Sequence, residues 1–377
     1  MTSGFRLDVP ERTEEAHELA HGPFKMPRIL TTERLVLCPF EQRHHEPIAR
    51  LFADEQAAKF IGGTSDVSGS FSLLCAFAGQ WGLLGFGEYA VLDHCGDFLG
   101  GAGLWMPIDW PELEMGYFFL PEAQGKGYAS EAVRAIREEA VRRGVRTLVS
   151  YIDPRNAPSI ALAERVGATL DGPITLRDKA ARVYRHPIPS VEPAHHDDDI
   201  PYFPVLAMPR RIETKRLVLS AWQLHHFEPF AALLADPDTT RFTTGVLTRR
   251  EAWNSMIAAA GSWQLRGYGT YAIEVDGEFS GWCGLYNPYD WPEIELAYTL
   301  APHARGRGLA QEAIDAVKAI AATQGLSRLV SYVHPQNAAS LRAAERSGAV
   351  REGTISLRDE TAVVYAHAMD FEGALAA

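Results

Sequence analysis

Apolar residues along this chain follow two rhythms, and the order in which the rhythms succeed one another predicts the fold. Ala129, Ala132, Val133, Ile136 and Ala140 recur at three- and four-residue spacing, the period of a helix with one apolar face. Ahead of them, strand-length runs at 34–38, 89–92, 98–104 and 112–120 alternate with helical segments at 46–59 and near 70–84. Behind them come a buried-type strand at 147–152, a helix with a cap at Asn156 and a stop at Gly167, and a closing strand around 182–184. The predicted class is α/β: a mixed, mostly antiparallel sheet with helices on both faces.

The whole succession then happens again. "GQWGLLGFGEYAV" from Gly79 returns as "GSWQLRGYGTYAI" from Gly261, and "DWPELEMGY" from Asp109 returns as "DWPEIELAY" from Asp290. "LVSYIDPRNAPSIALAERVGA" and "LVSYVHPQNAASLRAAERSGA" agree at 13 of 21 positions. A unit this long, present twice, predicts duplicated domains and not a solenoid. The expected organisation is an N-terminal extension at 1–27, a first domain at 28–186, a proline-rich linker at 187–210 and a second domain at 211–371. The extension reads as a poorly ordered tail in preference to a docked segment.

Composition narrows the classes. The 377 residues carry 36 Lys and Arg against 48 Asp and Glu, a formal charge of -12 that disfavours nucleic acid and anionic lipid and favours cationic small molecules or basic peptides. No window approaches the length of apolar sequence a membrane span needs, and the acidic N-terminus does not resemble a secretion signal, so a cytoplasmic protein is expected. Cys38, Cys75, Cys95 and Cys283 lack paired spacing, so neither a disulfide framework nor a metal site is expected. The charge run at 195–199 reads as solvated surface. The adjacent pairs His44 and His45, and His225 and His226, read as separate surface or core residues, because neighbours on a helix point apart.

"AQGKGYASEA" and "ARGRGLAQEA", 181 residues apart, place a basic glycine turn between a strand and a helix in each copy. Free backbone N–H groups at a helix start attract anions, and small residues let a phosphate approach. Neither turn fits the GxxxxGK[ST] or GxGxxG patterns, which argues against nucleoside triphosphates and NAD.

These residues resemble the GNAT acyltransferases, whose hallmark Q/R-x-x-G-x-G/A is matched by Gln124, Gly127 and Ala129 and again by Arg305, Gly308 and Ala310. The resemblance covers about 155 residues of each half. It is closest to the group that acetylates ribosomal-protein N-termini and related amines, through Thr32 to Leu37, Thr214 to Leu219, Glu114 to Tyr117, and the N-x-x-S of Asn156 and Asn337. One departure is Ala297 where that pattern has glycine, which puts the second copy's acyl-pantetheine fit in question. The resemblance implies acetyl-coenzyme A as donor, no metal, and an amine-bearing small molecule or peptide as acceptor. It places the pyrophosphate on Gln124, Gly125, Lys126, Gly127, Tyr128 and Ala129, and on Arg305, Gly306, Arg307, Gly308, Leu309 and Ala310. The pantetheine would follow the preceding strand.

Acetyl transfer to an amine needs a base, and a proton for the leaving thiolate. A strand through 112–120 would put Glu112 and Glu114 on one face, as with Glu293 and Glu295, either as site carboxylates or as a solvent-facing acidic row. By resemblance Glu114 and Glu295 are the bases, with Glu112 and Glu293 as substrate-binding neighbours. The later helix has no tyrosine, which leaves Ser159 and Ser340 as the nearest hydroxyls. Asn156 and Asn337 fit both coenzyme contacts and helix caps, and Trp110 and Trp291 fit both an acceptor-pocket wall and plain packing. The expectation is a tandem N-acetyltransferase, monomeric as an internal pseudo-dimer or homodimeric. The alternatives are a non-catalytic acyl-coenzyme A binder, or one active copy with one structural copy.

Overall fold

The computed structural model describes residues 12–21, 24–188, 207–367 and 369. Most of the expected linker and the whole 195–199 charge run lie outside the described residues. The chain divides into two compact units, Met1–Ser70 with Gln80–Pro201, and Phe71–Gly79 with Tyr202–Ala377.

In chain order the first copy runs α1 (Glu14–His21), β1 (Leu30–Thr31), β2 (Leu35–Pro39), α2 (His45–Ala53), α3 (Glu55–Ala58) and α4 (Val67–Leu84). It continues β3 (Glu88–Asp93), β4 (Phe98–Trp105), β5 (Glu114–Phe119), α5 (Tyr128–Arg142), β6 (Val149–Ile152), α6 (Ala157–Arg165), β7 (Thr169–Leu176) and β8 (Lys179–Arg185). Its eight strands lie side by side as β1-β2-β3-β4-β5-β6-β8-β7. All neighbours are antiparallel except β5 and β6, which pair in parallel at one position, Glu114 with Val149. Val133, Ile136 and Ala140, the apolar stripe that announced α5, are fully buried, as are Leu35, Leu37, Tyr89 and Leu104 in the sheet.

The second copy repeats this plan. It runs β9 (Arg211–Glu213), β10 (Val218–Ser220), α7 (Phe227–Leu234), α8 (Pro237–Thr240), α9 (Arg249–Arg266), β11 (Thr270–Val275), β12 (Glu278–Tyr286) and β13 (Glu295–Leu300). After these come α10 (Leu309–Thr323), β14 (Leu329–Val333), α11 (Ala338–Arg346), β15 (Val350–Leu357) and β16 (Glu360–His367). The strand order is the same, and its one parallel pair, β13 with β14, again meets at one position, Glu295 with Val330. Leu309, Ala313, Ile314 and Val317 of α10 pack on Leu219, Tyr271, Cys283 and Leu296 of the sheet.

Three expectations change. The described part of the N-terminal extension docks: Ala16, Leu19, Phe24 and Met26 are buried, Thr13 N–H donates to the Pro111 carbonyl, and the Glu15 carboxylate accepts from Thr147. Four apolar side chains spaced through an acidic stretch are enough to hold it. By length and composition alone α4 is apolar enough to span a membrane, contrary to the apolar-window expectation, but more than half of it is buried within the protein, as in a core helix. The pattern also missed β7 and β15, the outer arms of terminal hairpins whose two-residue turns hold Arg177 and Asp178, and Arg358 and Asp359, at positive φ. Such turns usually announce themselves by Asn-Gly or Asp-Gly, and Arg-Asp gives no such signal. The four cysteines are free thiols.

Candidate active site

Each glycine turn follows the first strand of the parallel pair, β5 or β13, after one intervening 3₁₀ turn. Gly125 and Gly127 hold φ of 74° and 84°, and Gly306 and Gly308 hold 72° and 77°, the left-handed region that glycine enters at least cost. A Cβ at Gly125 would meet nothing within 4 Å, so glycine is required there by conformation and not by crowding. Gly127 and Gly308 form the N-caps of α5 and α10 and offer no side-chain cap, so the first N–H groups of each helix, which have no partner within the helix, are left uncapped by a side chain. Gln124 Nε2 donates to the Phe119 carbonyl at 3.0 Å, and Arg305 Nε to the Leu300 carbonyl at 3.0 Å, so these side chains brace the turn. The Lys126 and Arg307 carbonyls accept from Arg34 and Arg216, while the Lys126 and Arg307 side chains stay exposed.

Sequence reasoning missed the lock behind the turn. Glu131, in the first turn of α5, accepts from Thr32 Oγ1 at 2.6 Å, from Arg34 N at 2.9 Å and from Arg34 Nε at 2.7 Å. Glu312 does the same with Thr214 and Arg216. The Thr-x-Arg near each domain's start is therefore a clamp that fixes the helix start against the sheet.

Glu114 and Glu295 open β5 and β13, at the one place where the parallel strands pair. Glu114 accepts from Trp110 Nε1 and from Tyr151 N at 3.3 Å; Glu295 accepts from Trp291 Nε1 at 2.8 Å and Tyr332 N at 3.3 Å. Burial raises both carboxyls to about 7 against the pull of those donors, and Arg177 also opposes the rise at Glu114. A carboxyl poised there exchanges protons near neutrality. Trp110 and Trp291 thus hold the two carboxylates in place through their indole N–H groups. Arg177 covers the Trp110 ring at 4.3 Å while held by Asp109, and Arg358 covers Trp291 at 4.8 Å while held by Asp290.

Glu112 and Glu293 do not share that site. Both precede the strand, and each is tied up in ion pairs, Glu112 with Arg185 at 2.9 Å and Glu293 with Arg328. Each of these carboxylates is engaged by an arginine of its own domain. Asn156 and Asn337 do cap α6 and α11, accepting from Ser159 N at 3.3 Å and Ser340 N at 3.1 Å.

The hydroxyls of Ser159 and Ser340 are not alone. Tyr117, on β5, sits 3.2 Å from Ser159 Oγ, and Tyr298, on β13, sits 3.1 Å from Ser340 Oγ. Burial pushes Tyr117 up to about 12. Each serine hydroxyl therefore meets a strand tyrosine that lies 42 residues earlier in the chain. The Tyr151 and Tyr332 hydroxyls beside the tryptophans are buried without a partner.

The place of Gly116 needs no coenzyme to explain it. A Cβ there would come within 2.4 Å of Glu88 Oε1, so the space is filled by the chain's own carboxyl.

His225 and His226 also depart from expectation. They lie on a 3₁₀ turn and not an α-helix, and both Nε2 atoms converge on Glu274 Oε1, at 3.1 and 3.2 Å. These donor atoms are close enough together for a shared ion. However, His226 Nδ1 accepts from Gln223 N–H, which leaves Nε2 protonated in the neutral ring, so the cluster holds itself by hydrogen bonds.

The acetyltransferase (GNAT) domain model matches residues 34–169 and 216–350. YkkB of Bacillus subtilis (strain 168), itself uncharacterized, is 34% identical over 93 residues, 24% of this chain and 54% of YkkB, so the chain spans about half the length of that relative. An acetyltransferase from Agrobacterium tumefaciens str. C58 aligns at a TM-score of 0.40 and 32% identity over 43% of this chain and 95% of that one. RimL, the ribosomal L7/L12 α-N-protein acetyltransferase in complex with coenzyme A, aligns at 0.38 and 20% identity over 44% of this chain and 99% of its own. With the family model covering well over half of its length in two stretches, each with its own mixed sheet and glycine turn, the chain belongs to the GNAT acetyltransferase family and carries that domain twice.

Proposed function

We propose that each domain transfers an acetyl group from acetyl-coenzyme A to a primary amine of a small molecule or peptide N-terminus. The observation that carries this reading is Glu114, and Glu295 with it: a carboxyl raised to about 7, held by two N–H donors at the single parallel pairing beside an anion-binding helix start. The turn N–H groups suit the coenzyme pyrophosphate, and the coenzyme brings an activated acetyl thioester. The glutamate holds the incoming ammonium and takes its proton, so that the nitrogen lone pair is free to form the new amide bond as the C–S bond breaks. Tyr117 and Tyr298, each beside a serine hydroxyl, are placed to return a proton to the departing thiolate.

The test is acetyl-coenzyme A consumption across peptides, diamines, aminoglycosides and amino-acid derivatives. Glu114→Gln and Glu295→Gln together are expected to lower turnover ~10²–10⁴-fold while coenzyme A affinity holds. In the parent, turnover should rise with pH through about 7, because only the ionised carboxylate accepts a proton. Unchanged turnover in the double variant would refute the assignment.

A further inference from the structure

Glu88, the first residue of β3, is 4% exposed, and its Oε2 has no hydrogen-bond partner. An acid this buried and unsatisfied is costly and calls for an explanation. The sheet register shows where it points. Glu88 pairs with Gly103, and Gly103 with Gly116; in the next row on that face Trp105 pairs with Glu114. Two glycines therefore form a floor over which the Glu88 side chain reaches, until Oε1 occupies the place of a Gly116 Cβ.

The second domain is built differently in the same row. Thr270 pairs with Gly284, and Gly284 with Ala297. The Thr270 hydroxyl is satisfied by Trp222 Nε1 at 3.0 Å. The first domain has Phe40 in place of Trp222, and phenylalanine has no N–H to give. Three linked differences thus leave an unsatisfied carboxyl beside the proposed base in one domain and a satisfied hydroxyl in the other. The charged group acting on Glu88 is Glu114; burial and then that charge raise Glu88 to about 8.

We propose that Glu88 and Glu114 make the first domain's acceptor site a receptor for two cationic nitrogens, so that it takes a short diamine where the second domain takes a monoamine. The proposal rests on the amine-acetylation reading above. Glu114 and Gly116 are two residues apart on one face of β5, about 6.6 Å along a strand, and Glu88 Oε1 lies against Gly116. The nitrogens of extended 1,4-diaminobutane are ~6 Å apart by standard bond lengths. One ammonium would meet Glu114 and lose its proton for acetylation, while the other stays charged against Glu88.

Calorimetric titration of the full chain with 1,4-diaminobutane and with butylamine tests this without relying on turnover. The diamine should bind the parent at least tenfold more tightly, with proton release at pH 7 as Glu88 ionises. Glu88→Gln should remove both the preference and that release while changing butylamine affinity less than twofold. If Glu88→Gln does not fold, Glu88→Thr with Gly116→Ala, which copies the second domain, is held to the same result. Equal binding of the two amines by the parent, no diamine binding, or a preference that survives the substitution would each overturn the proposal. Failure of the amine-acetylation reading would look different: selective diamine binding with no acetyl-coenzyme A consumption.

Discussion

Glu112 and Glu114 stand two positions apart in the chain and in opposite chemical situations. Alternation alone cannot separate them, because what separates them is remote: Arg185, 73 residues away, neutralises Glu112, while Trp110 and Tyr151 hold Glu114 without a full positive charge. The proposed base was therefore legible in the sequence, and its neighbour's ion pair was not. Tyr117 was overlooked for a similar reason, since its Ser159 contact depends on how β5 and α6 come together. Glu88 gives the sharpest test at this scale. Its folded pKa of about 8 lies above the ordinary 4.5, so the unfolded chain ionises first and the folded state loses stability as pH rises from about 4.5 to about 8. Glu88→Gln should therefore leave melting almost unchanged at pH 4.5 and raise the melting temperature progressively toward pH 8.5. A constant offset at both pH values would show that Glu88 keeps its ordinary pKa.

At the scale of elements, the helix after the turn was legible because its stripe repeats every three to four residues, and the turn because its glycines are local. The clamp behind it joins residues about 97 apart and left no local trace. Terminal hairpins were half seen: β8 and β16 carry a buried Val-Tyr or Val-x-Tyr pattern, whereas β7 and β15 are largely exposed and show no apolar rhythm. The glycines also separate conformation from crowding. Gly127→Ala puts a Cβ on a left-handed residue, a strain of about 1–2 kcal/mol. Gly172→Ala meets no atom within 4 Å at a strand position outside the left-handed region. Urea unfolding should show a lowered midpoint for the first and none for the second. Equal midpoints would mean that the turn's φ is not the reason for its glycine.

For the whole molecule, duplication is what made the fold readable, since each weak local signal could be checked against its copy. The copies agree in strand order, in the single parallel pairing, in the Thr-x-Arg clamp and in the left-handed glycines before α5 and α10. They differ at Glu88 and Thr270, on the sheet face that carries the proposed base. This pattern predicts common coenzyme binding with divergent acceptor choice. The full chain should bind two equivalents of coenzyme A by calorimetry, with affinities within about one order of magnitude, because the donor groups and turn angles match. Gly127→Trp and Gly308→Trp each set a bulky side chain at one helix start. Each single variant should lose one equivalent and the double variant both, with circular dichroism confirming the fold. A single equivalent in the parent, lost only with Gly127→Trp, would mean that the second turn keeps the family's shape without its ligand, and that duplication served the architecture alone.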